Sequence, residues 1–561
     1  VNPSTAFAMV LVDELIRCGL REAVVAPGSR SAPLAMALHG DDRVRLHVRL
    51  DERSAAFLAL GLAKAGGRPV AVVCTSGTAA AHFHAAAIEA DESGVPLLLL
   101  TADRPPELRG TGANQTVDQI KLYGSAVRWF CEAGVPEDRP GQAAYWRSLA
   151  SRAWAHAAGN GGTFPGPVHL NLPFRDPLVP DEPGEHLPAA RAGRPDGAPW
   201  TTVTGSSAPE PAELDWTERG VVVCGDGTAD PAAAAALAES AGWPLLAEAS
   251  SGARTGPAAL GAYQYLLDCT EFMSAHRPDV IVSAGRAGLT RGQQALLRGP
   301  VERHVVLSQG PGRWSDPARS ATAVAGSVVL RGAPASRQPS EWLRSWRDAD
   351  AAARAAADKI LAADGGLSEP LLARSVAAAL PAGALLWVAS SLPARDMDRH
   401  MVPRAGLRVL ASRGASGIDG LASSAIGAAL AHQAAGGGRA AALLGDIAVV
   451  HDAPGLMLGP AEPQPDLCLI VVNNDGGGIF SALEQAAFPA PFERVFGTPH
   501  GTDFAALARA AGLPWTLLTA ASDLPEVLSR PGLHLAEVRT SRAEGTALRA
   551  AITSACTAAL R

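Results

Sequence analysis

The feature that most narrows what this chain can fold into is an alternation in its first third. "REAVVAPGSRSAPL" (21–34), "RLHVRLDERSAAFLALGLAKAGG" (45–67), "RPVAVVCTSGTAAAHFHAAAIEA" (68–90) and "VPLLLLTADRPPEL" (95–108) each run from an apolar stretch through a polar turn into a helical pattern. Repeated strand–turn–helix units build parallel, doubly wound sheets. The pattern restarts in "RGVVVCGDGTADPAAAAALAESAGWPLLAE" (219–248). It returns in "ALLWVASSLPARD" (384–396), "LRVLASRGASGIDGLASSAIGAALA" (407–431), "RAAALLGDIAVVHD" (439–452) and "DLCLIVVNNDGGG" (466–478). Pro/Gly-rich stretches at 177–200 and 331–342 read as linkers between these blocks. The expectation is an α/β chain of three doubly wound parallel-sheet domains, over 1–185, 186–345 and 346–561.

Composition removes several classes of function. A net charge of −7 and 5% aromatic residues give neither the basic footprint of a nucleic-acid binder nor the profile of a disordered chain. The seven cysteines are scattered and form no metal-ligand spacing, so they read as small buried hydrophobes in a reducing compartment. Asp13 and Glu14 interrupt the region where a signal peptide would be apolar, and no apolar run approaches the ~18 residues of a membrane span. A soluble, cytoplasmic protein is expected.

Two strand-like segments end abruptly in oxygen-bearing side chains: Asp446 in "GDIAVVHD", and Asn473-Asn474-Asp475 before a glycine run. Ligands of parallel sheets bind outside the carboxyl ends of the strands. Mg²⁺ takes a few oxygen donors, completed by phosphate and water. Asp446, Asn474 and the Gly476 carbonyl supply such donors, with Mn²⁺ an acceptable substitute. Gly476-Gly477-Gly478 would let the main chain approach a phosphate, and a helix over "IFSALEQ" would present free N–H groups to it. "GDGTAD" (225–230) looks similar, but no Asn pair follows it and it reads as a plain turn.

Glu52 stands where a strand gives way to an amphipathic helix, a position that the helix dipole alone would favour. Together with the strand-end acid and amide, it resembles the arrangement of thiamine-diphosphate-dependent enzymes. These keep one glutamate in a pyrimidine-binding (PYR) domain, apart from the diphosphate-binding (PP) domain, with a central domain between. "APGSRSAPL", "TSGTA", "TADRPPELRGTGANQT", "GPVHLNLPFRDPL", "SRGASGIDG", "NNDGGGIF" and "RVFGTPHGTDF" extend the likeness over most of the chain. They resemble most the branch of that family that joins 2-oxoglutarate to isochorismate in menaquinone biosynthesis. The resemblance implies that Glu52 hydrogen-bonds the aminopyrimidine ring of thiamine diphosphate. It implies that Ile418 props the cofactor in a bent shape, and that Ser390, Gly445, Ile447 and Ala448 contact it. The cofactor would carry the carbanion chemistry and the protein would orient it.

Both substrates are dicarboxylates, and guanidinium groups pair with carboxylates in two directions at once. Arg30, Arg104, Arg291, Arg395 and Arg413 match the family's basic positions. Ser29, Gln115 and Ser391 match polar lining, and Ile479 and Phe480 match an apolar wall. Gln115 is the candidate for placing isochorismate or a water in the reaction. His82, His84 and His451 show no partner in sequence and read as packing or capping residues. The resemblance implies a homodimer at least, since each site would draw on two subunits, and family members often pair dimers into tetramers. Two alternatives stay open: an acetolactate-synthase-like 2-oxoacid enzyme, and a non-catalytic nucleotide-binding protein.

Overall fold

The computed structural model describes the chain except for residues 189–190, 205–209, 309, 311–312 and 334–338, so part of each expected linker lies outside the described residues. The chain divides into two compact units. The first comprises Val1–Ser207, Gly414–Gly436 and His451–Pro465; the second comprises Ala208–Arg413, Gly437–Val450 and Asp466–Arg561.

The first unit is built on one sheet. Its strands are β1 (Glu22–Val25), β2 (Arg45–Val48), β3 (Val70–Cys74), β4 (Leu97–Asp103), β5 (Trp129–Glu132) and β6 (Val168–Pro173), in the order β2-β1-β3-β4-β6-β5. Every ladder is parallel. β3 and β4 are buried at every position, which is why they read as largely apolar runs; β6 is buried throughout too, with His169 and Asn171 hydrogen-bonded to Thr101 (2.8 Å) and Asp103 (2.9 Å). Helices Pro3–Cys18, Ala32–His39 and Gln142–Ala158 close one core. Helix Glu52–Gly66 starts where Asp51 accepts the Ser54 N–H (2.8 Å) and stops at left-handed Gly67.

Helix Leu421–Ala434, far away in sequence, packs on Glu52–Gly66. Small residues make the crossing close. A Cβ on Gly61 would sit 2.0 Å from the Ser424 carbonyl oxygen, and one on Gly427 would sit 2.2 Å from that of Leu58. Buried Asp452 ties the two helix starts together, accepting the Ser54 hydroxyl (3.0 Å) and the Ser423 N–H (2.7 Å). The described part of the first expected linker lies along this unit, where Arg147 and Arg17 donate to the carbonyls of Arg191 and Arg194.

The second unit carries two larger sheets and a small ribbon. One sheet has β8 (Gly220–Cys224), β9 (Leu245–Ala247), β10 (Val280–Ala284), β11 (Arg303–Leu307) and β12 (Ala323–Ala325), in the order β12-β11-β10-β8-β9; β7 (Ala212–Asp215) pairs only with β13 (Val328–Arg331). The other has β14 (Ala384–Val388), β15 (Leu407–Ala411), β16 (Ala440–Gly445), β17 (Leu467–Asn473), β18 (Trp515–Leu517) and β19 (Leu533–Arg539), in the order β15-β14-β16-β17-β19-β18. All these ladders are parallel as well. The expected boundary at 345/346 falls inside a continuous helix, Glu341–Ala363. Ser340 caps it, and Trp342 and Trp346 join the core beside β8 and β10. Among the described residues no helix is long and apolar enough to cross a membrane.

Candidate active site

In the second unit the ends of β16 and β17 lie side by side, with Gly445 paired to Val472. Asp446 follows at once and is 3% exposed. One carboxylate oxygen accepts the Ile447 N–H (2.7 Å), and the other accepts the N–H groups of Asn474 and Gly476 (3.0 Å each). Burial pushes the Asp446 carboxyl up, against the N–H donors of Gly476 and Ile447 and the nearby His500 ring. The Asn474 amide nitrogen donates to Glu369 (2.8 Å), while its buried Oδ1 has no hydrogen-bond partner among the described residues. An amide oxygen withdrawn from water and left without a donor fits a hard-cation ligand. The Asp446 carboxylate and the Gly476 carbonyl complete a donor set of the type such a cation takes. Asn473 and Asp475 do other work: Asn473 donates to Glu537 (2.8 Å), and Asp475 accepts the N–H groups of His500 (3.0 Å) and Gly501 (2.8 Å).

The glycine run serves a purpose the sequence did not suggest. A Cβ on Gly476 would lie 1.9 Å from the Gly497 carbonyl oxygen, and one on Gly477 would lie 2.2 Å from that of Phe496. The side of each glycine that a Cβ would fill is taken up by the protein's own backbone. The helix expected over 479–485 is also corrected: the segment forms two 3₁₀ turns, Gly478–Ala482 and Glu484–Ala487, broken at extended Leu483 (φ −115°, ψ 171°). Gly477 N–H donating to Gly497 (2.8 Å) and Phe480 packing on Phe496 (ring centres 5.7 Å) hold the segment to neighbours that a regular helix would not meet.

His500, in a motif quoted above without a role, was missed. Its Nδ1 accepts the Thr502 N–H (3.1 Å), which leaves the proton of the neutral ring on Nε2, 3.4 Å from Asp446. "GDGTAD" is a turn in the structure: Thr228 donates to Gly225 (2.8 Å), and Asp230 caps helix Pro231–Ala241.

Ser390 is buried and donates to the Ser412 carbonyl (3.1 Å), joining the ends of β14 and β15. Ser391 adopts φ 77° at the start of helix Leu392–His400, and Arg395 donates back to its carbonyl (3.0 Å). Burial and the neighbouring Arg413 lower the pKa of Arg395. Arg413 makes no hydrogen bond among the described residues and lines a small cavity with Glu248, Leu289 and Val409. Two adjacent cations favour an anion; the acids near them are Asp396, which acts on Arg395, and Glu248, which shares the cavity with Arg413. Arg291 is placed differently: its side chain is 83% exposed and reaches Glu484 (3.3 Å), on the segment that carries Ile479 and Phe480. Ile447 is half-buried and Ala448 is buried in helix Asp446–His451.

In the first unit Glu52 is half-buried at the start of its helix, and its carboxylate makes no hydrogen bond among the described residues. Arg30, Arg104 and Gln115 gather beyond the ends of β1, β3 and β4. Arg104 donates to the Ser76 hydroxyl, and that serine exchanges hydrogen bonds with Gln115 at 3.0 and 3.2 Å. Gln115 itself takes a left-handed φ of 54°. Burial, then the charge of Arg30, lowers the pKa of Arg104. Ser29 is exposed beside Arg30. Ser76 was missed as a member, although "TSGTA" flagged its segment. Ile418 is half-buried in a loop that Glu89 holds by accepting three N–H groups, from Gly414 (2.8 Å), Ala415 (2.7 Å) and Ser416 (3.1 Å). His84 packs edge-on to Tyr123 (5.6 Å), His82 is exposed, and His451 meets Arg53 (3.3 Å), a partner the sequence did not show.

Residues 5–122 match the family described as thiamine pyrophosphate enzyme, N-terminal TPP binding domain. With three large parallel sheets among the described residues and this strand-end site, the chain is a thiamine-diphosphate (pyrophosphate) enzyme in class. It is 60% identical to the 2-succinyl-5-enolpyruvyl-6-hydroxy-3-cyclohexene-1-carboxylate synthase of Thermobifida fusca (strain YX), over 100% of both chains. The synthases of the same name from Saccharopolyspora erythraea and Mycobacterium avium (strain 104) are 49% and 42% identical, over 97% and 99% of this chain and 97% and 100% of theirs. The chain belongs to this synthase family.

Proposed function

We propose that the protein uses thiamine diphosphate and Mg²⁺ to decarboxylate 2-oxoglutarate and add the resulting four-carbon unit to isochorismate. The product would be 2-succinyl-5-enolpyruvyl-6-hydroxy-3-cyclohexene-1-carboxylate, for menaquinone biosynthesis. Full-length identity to synthases of that name supports the reaction, and the unpartnered Asn474 Oδ1 beside Asp446 is the observation that supports the cation site. When bound, the cofactor supplies the carbon nucleophile and the electron sink that decarboxylation needs.

The chain's own residues would hold and orient the reactants. Asp446, Asn474 and the Gly476 carbonyl would take the cation, and Ser390, Gly445, Ile447, Ala448 and Ile418 would line the cofactor. Glu52, whose carboxylate has no hydrogen-bond partner among the described residues, would accept one from the aminopyrimidine. Arg395 and Arg413 form one carboxylate site, and Arg30 and Arg104 form another. Ser76 fixes Arg104 and Gln115 relative to each other, while Ser29 and Ser391 add polar lining and Ile479 and Phe480 an apolar wall. Arg291 would have to leave Glu484 to reach a substrate. We assign the sheets to PYR, central and PP domains, the working form to a homodimer or a tetramer of paired dimers, and the location to the cytoplasm.

The test is Glu52→Gln, assayed with 2-oxoglutarate and isochorismate together. Turnover is expected to fall by about 10²–10⁴-fold, the usual contribution of a positioned acid–base group, with an unchanged thermal midpoint. Undiminished turnover would overturn the assignment of Glu52. Efficient use of pyruvate without isochorismate would favour the acetolactate-synthase-like reading.

A further inference from the structure

Glu369 begins helix Glu369–Ala379, is 5% exposed, and belongs to none of the motifs that drew attention to the site. Its Oε1 accepts the Asn474 amide N–H (2.8 Å) and the Thr540 hydroxyl (2.9 Å). Its Oε2 accepts from Arg549, which also donates through Nε to Asp396 (2.9 Å). A carboxylate has only oxygens to offer, so the side of the Asn474 amide that faces it must be the NH₂. The carbonyl oxygen is then forced to the opposite side, where it is buried and, among the described residues, without a hydrogen-bond partner. Reversing the amide would set two oxygens against each other at Glu369 and turn N–H groups toward the cation site. Arg549 supplies the counter-charge that lets this carboxylate stay in the interior, and Asp396 fixes Arg549 in turn.

We propose that Glu369 is a positioning residue for the divalent-cation site: by holding the Asn474 NH₂ it presents Oδ1 as a ligand. This rests on the cation reading given above. Outer partners of this kind typically change metal affinity by 10–100-fold when removed.

The experiment titrates Mn²⁺ into the full-length protein with thiamine diphosphate and follows free Mn²⁺ by electron paramagnetic resonance. Thermal midpoints are measured without metal in parallel. In Glu369→Gln the new amide would turn its oxygen to Arg549 and its NH₂ to Asn474, reversing the Asn474 amide. Mn²⁺ affinity is expected to fall by about 10–100-fold. Thr540→Val removes the other donor to the same oxygen, and Asp396→Asn loosens Arg549; both leave the Asn474 contact and are expected to keep Mn²⁺ affinity. If Glu369→Gln does not fold, Glu369→Asp draws the acceptor back from Asn474 and carries the same expectation. Wild-type affinity in the Glu369 variants would overturn the proposal. So would an equal loss in Asp396→Asn, because the effect would then be general loosening. Failure of the wild type to bind Mn²⁺ with the cofactor present would instead overturn the cation site itself.

Discussion

Arg254 and Arg395 lie in the same unit and look alike in sequence, yet the structure holds them in opposite ways. Arg254 is 2% exposed and saturated: its guanidinium donates to the carbonyls of Ala247 (2.7 Å), Gly261 (2.7 Å), Asp398 (2.8 Å) and Met401 (2.9 Å). It also pairs with the buried Asp398 carboxylate (3.3 Å). Arg395 is half-buried and, among the described residues, donates only to the Ser391 carbonyl, with a second cation, Arg413, beside it. A structural arginine spends its five donors inside the protein, whereas one kept for a ligand leaves them open. Open donors, more than position after a strand, are why Arg395 and not Arg254 is proposed to meet a substrate.

Replacing each by methionine tests that distinction. Arg254→Met takes the cation away from buried Asp398 and leaves it, among the described residues, Tyr263, Gln264 and the Ala249 N–H as donors. Breaking a buried pair from one side costs roughly 3–5 kcal/mol, so urea unfolding is expected to show a large drop in stability. Arg395→Met should leave stability unchanged or slightly raised, because it relieves repulsion from Arg413. The Michaelis constant for 2-oxoglutarate should instead rise by about 10–100-fold, the loss of a charge-assisted hydrogen bond or two. Equal destabilisation by the two substitutions would remove the distinction between saturated and open arginines.

That contrast also separates what could be read from sequence from what could not. The parallel sheets were legible because strands buried on both faces leave unbroken apolar runs, as at "LLLLTAD". Asp446 and Asn474 were legible because strand ends and oxygen side chains coincide there. Glu369, Ser76, Glu89 and His500 were not, because each acts through a partner distant in sequence: Asn474, Arg104, Gly414 and Asp446. The packing reason for the glycine run was hidden in the same way, since the backbone that needs its space belongs to Phe496 and Gly497. Helix Leu421–Ala434 gave a partial signal: it is apolar almost all round, which marks a helix buried on every side. Nothing local to it named Glu52–Gly66 as the neighbour.

The last comparison concerns Glu248, which lines the cavity that Arg413 enters and is 2% exposed. One of its oxygens accepts the N–H groups of Gly288 (2.9 Å) and Leu289 (3.0 Å), just before the helix that begins at Arg291. Burial, with the Asp398 charge second, pushes its carboxyl up to about 8. The folded chain therefore keeps this proton over a range in which the unfolded chain, with an ordinary carboxyl near about 4.3, has lost it. Stability linked to the group is full below about pH 4.3 and is lost as pH rises through the folded value. Glu248→Gln keeps an oxygen for the two N–H groups and removes the titration. Its melting temperature relative to wild type is expected to rise steadily between roughly pH 5 and pH 8.5. A pH-independent difference would mean that Glu248 ionises freely at neutral pH. Arg413 would then have a resident carboxylate partner, and it would have to be counted with Arg254 and not with Arg395.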